Sequence, residues 1–263
     1  MFHPHLIHAH YGTVTAFLCG LGIGVPLVVT FRGSDLNPDT SVGRLRFRVS
    51  RFLSEVAALR SRAIICVTDE LRSRLWLGRT KATVSSGGID LEHYRPLPRD
   101  EARRRLNWSL TTKVVLFNAG RNAVIKRADI ALEAVEIARK IVPDLRIEMM
   151  RGEVDPEKVP LLLSASDCLL VTSDSEGSPY IVKEALACNL PIVSVAVGDI
   201  PDRLAKVTPS RIVEREVTQL GEAIAEVVLS VRRSNGRDTI ADISERAEVE
   251  RLCQVYRYAV GAP

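Results

Sequence analysis

The chain has 263 residues, 46% apolar and 26% charged, with a formal net charge of +4. That mix is sufficient for a buried core and excludes a disordered chain, which pairs low hydrophobicity with high net charge. Apart from one arginine run, the mild basic excess is scattered rather than gathered into the patch of a nucleic-acid binder, and no apolar run approaches the ~18 residues of a membrane span.

Strand-length apolar runs fall at residues 6–10, 26–32, 63–68 and 81–85, and again at 113–118, 145–150, 167–173, 191–196 and 211–213. Several, such as VVLFNAG and CLLVTS, are nearly continuous apolar segments, as expected of strands buried on both faces. Between them the period is helical: Ile130, Ala134, Ile137 and Ile141 recur three or four residues apart. The alternation predicts an α/β fold of mostly parallel sheets. Residues 94–100 (YRPLPRD) carry two prolines and no periodicity and read as a linker. The expected organisation is a first domain over 1–97, a second over 98–245 and a terminal helix over 246–263.

Several features admit a structural reading beside a functional one. His3, His5, His8 and His10 resemble a metal cluster, but no Cys or carboxylate ligand stands near them, so packing is preferred and no metal is expected. Residues 44–62 hold six arginines, with Leu45, Val49, Phe52, Val56 and Leu59 along one helical face. This pattern permits docking on an anionic membrane surface, while a scaffold helix with a solvated basic face is preferred. The five cysteines (Cys19, Cys66, Cys168, Cys188 and Cys253) have no metal or redox spacing, which suggests a reduced, cytoplasmic protein.

The richest segment is DSEGSPYIVKEALAC, residues 174–188, directly after the strand at 167–173. Ser178-Pro179 predicts a helix start, with Ser178 as cap and Pro179 at the first helical position. A helix that opens at the carboxyl end of a parallel strand is a ready anion site. Gly177 permits close backbone approach. Glu176 lies before the helix and Glu184 about 9 Å along its axis, so carboxylates flank the anion position. Arg121 and Lys126 follow the strand at 113–118 and would neutralise a diphosphate.

These residues resemble those of the retaining, GT-B-fold glycosyl transferases of group 1. The E-x7-E motif matches Glu176 and Glu184, and the Gly-Arg…Lys-Arg element matches Gly120, Arg121, Lys126 and Arg127. VSSGGIDLEHYRPLP and ACNLPIVSVAVGDIPDRL are similar to further family segments. The resemblance implies two Rossmann-like domains, with the terminal helix over 246–263 that carries Tyr256 packing back on the first, and a hexosyltransferase-type enzyme. It would move a sugar from a nucleotide-diphosphate sugar to an acceptor hydroxyl with retention and without metal, in polysaccharide or glycoconjugate biosynthesis. It further implies that Arg121, Lys126, Gly177 and Ser178 hold the diphosphate, that Glu184 binds ribose and that Glu176 binds the transferred sugar.

Two departures from the family accompany this match. The chain begins just ahead of His8-Ala9-His10-Tyr11, so the first domain is expected to be incomplete and a companion chain could complete it. Arg32 in TFRGSDL stands where many relatives have His near the transferred sugar. It is retained as a catalytic-site candidate, although a guanidinium cannot act as a base. The acceptor, a glycan or a lipid, is not specified, and a peripheral location at the inner membrane face is consistent with a lipid. A truncated non-catalytic nucleotide binder and a nucleotide-sugar epimerase are the alternatives.

Overall fold

The computed structural model describes residues 3–22, 24–37, 43–120, 122–152 and 154–262. The chain divides into two compact units, Met1–Gly88 with Glu245–Pro263, and Ile89–Ser244.

The first unit runs β1 (Ile7–His10), α1 (Thr13–Cys19), β2 (Leu27–Phe31), α2 (Arg44–Arg60), β3 (Ala63–Cys66), α3 (Asp69–Arg74) and β4 (Ala82–Val84). Its four strands are parallel and lie in sequence order. Every residue of β2 and β3 is buried, because both faces of the sheet are covered. Val29, Phe31, Ile64 and Cys66 pack with Ala16, Ala57 and Ala58 of the helices. Val28, Ala63 and Ile65 point the other way, toward Val255 and Ala259 of the C-terminal helix Glu245–Val260. Successive residues thus serve opposite faces, the period of two that a pleated strand imposes.

His8 ties that helix to the sheet. Its ring joins the Tyr256 hydroxyl through Nδ1 and the Thr30 hydroxyl through Nε2, both at 2.7 Å. Burial, with His10 and Arg32 nearby, lowers its pKa to about 4, so the ring is neutral at physiological pH. Among the described residues no group of three or more His, Cys, Asp or Glu could hold a metal, and no helix is long and apolar enough to cross a membrane.

The second unit contains α4 (Arg99–Arg105), β5 (Lys113–Gly120), α5 (Ala128–Arg139), β6 (Leu145–Arg151), α6 (Val159–Ala165), β7 (Cys168–Val171), α7 (Tyr180–Ala187), β8 (Ile192–Val195), α8 (Ile200–Leu204), β9 (Arg211–Val213) and α9 (Val217–Leu229). All its strand pairs are parallel, in the order β6-β5-β7-β8-β9. The two faces carry separate cores. Leu116 and Leu169 belong to one with α6 and α7 residues, and Val115, Phe117 and Leu170 to the other with α5 and α9. The chain winds one way from β5 to β6 and the other way from β5 to β7, which leaves a crevice beyond the carboxyl ends of these two strands.

A buried ion cluster anchors the opposite end of the sheet. Asp167, one residue ahead of β7, accepts from Arg103 Nη2 at 2.7 Å, Arg99 Nη1 at 2.8 Å and the Val114 backbone N–H at 2.7 Å. The Arg103 side chain is fully buried. All nine expected strands are present, with ends moved by a few residues, and the α/β reading with two parallel sheets holds.

Candidate functional site

The carboxyl ends of β5 and β7 bring Lys126 and Glu176 together. β5 ends in an irregularity at Asn118 and Gly120, where Gly120 has φ +52 and donates its N–H to Asn118 Oδ1 at 3.0 Å. A non-glycine residue is uncommon in that region of φ. The following turn carries Lys126 to the helix α5. Arg121 lies outside the described residues.

Three bonds pin this turn to the end of β7. The Thr172 hydroxyl donates to the carbonyls of Lys126 and Arg127 at 2.8 and 3.0 Å, and Asp174 N–H donates to Ile125 O at 2.9 Å. The result is a direct contact: Lys126 Nζ donates to Glu176 Oε1 at 2.5 Å, with the side chains 24% and 12% exposed. The Ser173 hydroxyl donates to the same oxygen at 2.7 Å. Partial burial makes this pair stronger than a solvated surface pair. Residues assigned from sequence to different parts of one ligand therefore touch each other.

Further cations surround the pair. Arg127 bridges Asp129 and Asp174 at 2.8 and 3.4 Å. Arg215 reaches Asp174 at 3.1 Å and donates to Ser173 O at 2.6 Å. Arg215 had no sequence signal, since the fold alone brings the β9–α9 connection to the end of β7, and Asp174, at the head of the 174–188 segment, was given no role of its own.

The structure corrects the helix start. α7 begins at Tyr180, Pro179 is its N-cap, and no side chain caps it. The Ser178 hydroxyl instead donates to Asp199 Oδ2 at 2.7 Å, an oxygen that also accepts from Arg203 Nε at 3.0 Å. Extended backbone at Pro179 (φ −69, ψ 124) places one more non-helical residue between Ser178 and the first turn. Asp199 N–H donates to Gly177 O at 3.0 Å. The loops meet so closely that a Cβ on Gly198, which has φ +57, would lie 2.2 Å from Gly177 O. Gly177 and Ser178 are thus held by the β8–α8 loop.

Glu184 projects from α7 onto Tyr94. Burial raises the pKa of its carboxyl, and the hydrogen bond from the Tyr94 hydroxyl and the charge of Lys183 partly oppose this. Burial and the Glu184 carboxylate push the Tyr94 hydroxyl up as well. Residue 94 falls in the stretch read from sequence as a linker, which hid its partnership with a residue 90 positions away.

Arg32 belongs to the first unit. It is exposed and donates Nη2 to His10 Nδ1 at 3.2 Å. Its backbone N–H, with those of Gly12 and Gly33, donates to the buried Asp35 carboxylate at 2.9–3.1 Å. Burial raises the Asp35 pKa against the pull of these bonds.

Comparison with known proteins places part of the second unit in a known family. Residues 136–230 match the family described as glycosyl transferases group 1, a stretch that includes Glu176, Gly177, Ser178 and Glu184. The chain is 25% identical over 240 residues to the putative teichuronic acid biosynthesis glycosyltransferase TuaC of Bacillus subtilis, covering 84% of this chain and 61% of that protein. It is 30% identical over 234 residues to a D-inositol 3-phosphate glycosyltransferase of Rhodococcus erythropolis, covering 73% and 52%. The chain therefore spans between about half and two thirds of the length of these two relatives. Among solved structures, sucrose-phosphate synthase from Thermosynechococcus elongatus superposes with a TM-score of 0.78 at 18% identity, covering 96% of this chain and 73% of that one. The Anabaena protein HepE with UDP and glucose superposes with a TM-score of 0.70 at 14% identity, covering 92% and 74%. The fold is that of the GT-B glycosyltransferases, and residues 136–230 carry a group 1 glycosyltransferase domain.

Proposed function

We propose that this chain binds a nucleotide-diphosphate sugar and transfers the sugar, with retention, to an acceptor hydroxyl, as a hexosyltransferase-type enzyme. The observation that carries the reading is the meeting of Lys126 and Glu176 where the sheet reverses its winding, beside a helix start that no side chain caps. Phosphate oxygens suit the lysine and the backbone N–H groups of Gly177, Ser178 and the first turn of α7. Arg121 is assigned to the same diphosphate. Hydroxyls suit carboxylates, so Glu176 is assigned to the sugar and Glu184, several residues along α7, to the ribose. As the bond to the sugar breaks, charge grows on the departing diphosphate, and the fixed cations stabilise it there. No metal is needed for this neutralisation. Arg32 is assigned to an oxygen of the transferred group, since it cannot take a proton.

Similarity to a putative teichuronic acid biosynthesis glycosyltransferase and to a D-inositol 3-phosphate glycosyltransferase supports a biosynthetic role on a glycan or small polyol. Calorimetry with UDP, GDP and ADP tests the donor site, and folded protein that gives no heat with any of them overturns the reading. The anomeric coupling in the proton NMR spectrum of the product tests retention. Arg32→Ala should leave nucleoside-diphosphate binding unchanged and lower transfer. Donor binding without transfer to any offered acceptor would favour a non-catalytic nucleotide binder.

A further inference from the structure

We propose that the outer face of α2 docks on an anionic lipid surface. The helix buries the wrong residues for an ordinary amphipathic element: Arg51, Ser54, Glu55, Ala57 and Ala58. Leu45, Val49, Phe52 and Leu59 are 76, 52, 64 and 56% exposed. With 3.6 residues per turn, these four fall in a stripe roughly 80° wide, and Ser54 lies on the opposite side of the helix. The apolar stripe therefore faces away from the sheet it would be expected to cover.

The charges are arranged around that stripe. The same helical geometry puts Arg44 and Arg48 on one flank and Arg46 and Arg60 on the other, and all four are exposed. Arg60 also donates Nε to Gly20 O at 2.9 Å. The only carboxylate in the helix, Glu55, is buried and paired with Arg51 at 2.8 Å. Every exposed charge of α2 is thus positive. Phe52 and Arg48 continue into a surface cavity of about 590 Å³ that Phe47 and Trp76 also line. Trp76 is 74% exposed, and its indole lies 4.7 Å from the Arg51 guanidinium.

A stripe of Leu, Val and Phe edged by arginines and extended by an exposed indole matches the boundary between lipid headgroups and acyl chains. The arginines would meet phosphates while the stripe enters the apolar layer. A second copy of the chain fits less well, because a two-fold contact through α2 sets arginines against arginines. A nucleic acid would satisfy the arginines and leave the stripe in water. This inference stands apart from the proposed donor chemistry, since none of its residues belongs to that site.

Sedimentation of the full chain with vesicles tests it. The chain should pellet with phosphatidylglycerol–phosphatidylcholine vesicles, less at high salt, and not with phosphatidylcholine alone. Leu45→Asp with Phe52→Asp should weaken partitioning by about tenfold or more, and Arg46→Gln with Arg48→Gln should flatten the salt dependence. In a Trp108→Phe background, the Trp76 emission should shift to the blue on phosphatidylglycerol vesicles only. Circular dichroism and UDP calorimetry report folding and donor binding separately, so failure of either reading is visible alone. Absence of pelleting, equal pelleting of the double Asp variant, or a dimer that Phe52→Asp abolishes would overturn the proposal.

Discussion

Lys126 and Glu176 hold each other at 2.5 Å, so a diphosphate that engages the lysine must share it with the carboxylate. The two side chains should therefore have opposite effects on nucleotide binding. Lys126→Ala removes a charged hydrogen bond worth about 1.5–3 kcal/mol and should weaken UDP roughly 10- to 150-fold. Glu176→Gln frees the lysine and should leave UDP binding unchanged or tighter, while it weakens the intact nucleotide sugar. Calorimetry with UDP and a UDP-hexose distinguishes them, and equal losses of UDP in both variants would contradict the pairing.

Glu184 should make the second unit pH-sensitive. Burial raises its folded pKa above the ordinary carboxylate value, so the ionised form costs stability at neutral pH. Protonation relieves that cost as pH falls through the folded pKa toward the unfolded one. Glu184→Gln should raise Tm at pH 7–8, with the gain shrinking on acidification and vanishing below the unfolded pKa. On the proposed role of Glu184 at the ribose, nucleotide affinity of the parent chain should fall over the same acid range. A Tm difference that stays flat with pH would rule out a buried anion.

The Asp167 cluster is a structural site. Asp167→Ala leaves the fully buried Arg103 guanidinium without its carboxylate, and removing one partner of a buried pair costs about 3–5 kcal/mol. Urea denaturation should show that loss, and Asp167→Asn should lose less because it keeps an acceptor for the Val114 N–H.

The thiols should separate by burial. Cys66, Cys168 and Cys188 are buried, and burial pushes each up to about 12, so all three should resist a disulfide reagent at pH 8. Cys253 is exposed and should react at once, with Cys19 slower. Titration before and after denaturant reads the count directly.

The strands were legible because burial on both faces writes a continuous apolar run, as in Val114–Phe117 and Cys168–Val171. What stayed hidden depended on direction or distance. The period of Leu45, Val49, Phe52 and Leu59 marks a stripe on α2 but carries no sign for inward or outward, and the small Ala57 and Ala58 took the buried side. Ser178-Pro179 has the composition of a helix start, yet the Ser178 hydroxyl finds Asp199, 21 residues on. Tyr94 reaches Glu184 from a stretch whose prolines mask any role. Lys126 and Glu176 were legible as chemistry and not as partners, because only the adjacency of β5 and β7 makes them neighbours.

The near-contact of Gly198 with Gly177 O couples two stretches of sequence more than 20 positions apart into one mechanical part. A substitution at Gly198 or Asp199 would be felt in the 176–178 loop. Libraries meant to change donor preference should therefore randomise 176–178 together with 198–203, since either stretch varied alone meets a rigid template in the other.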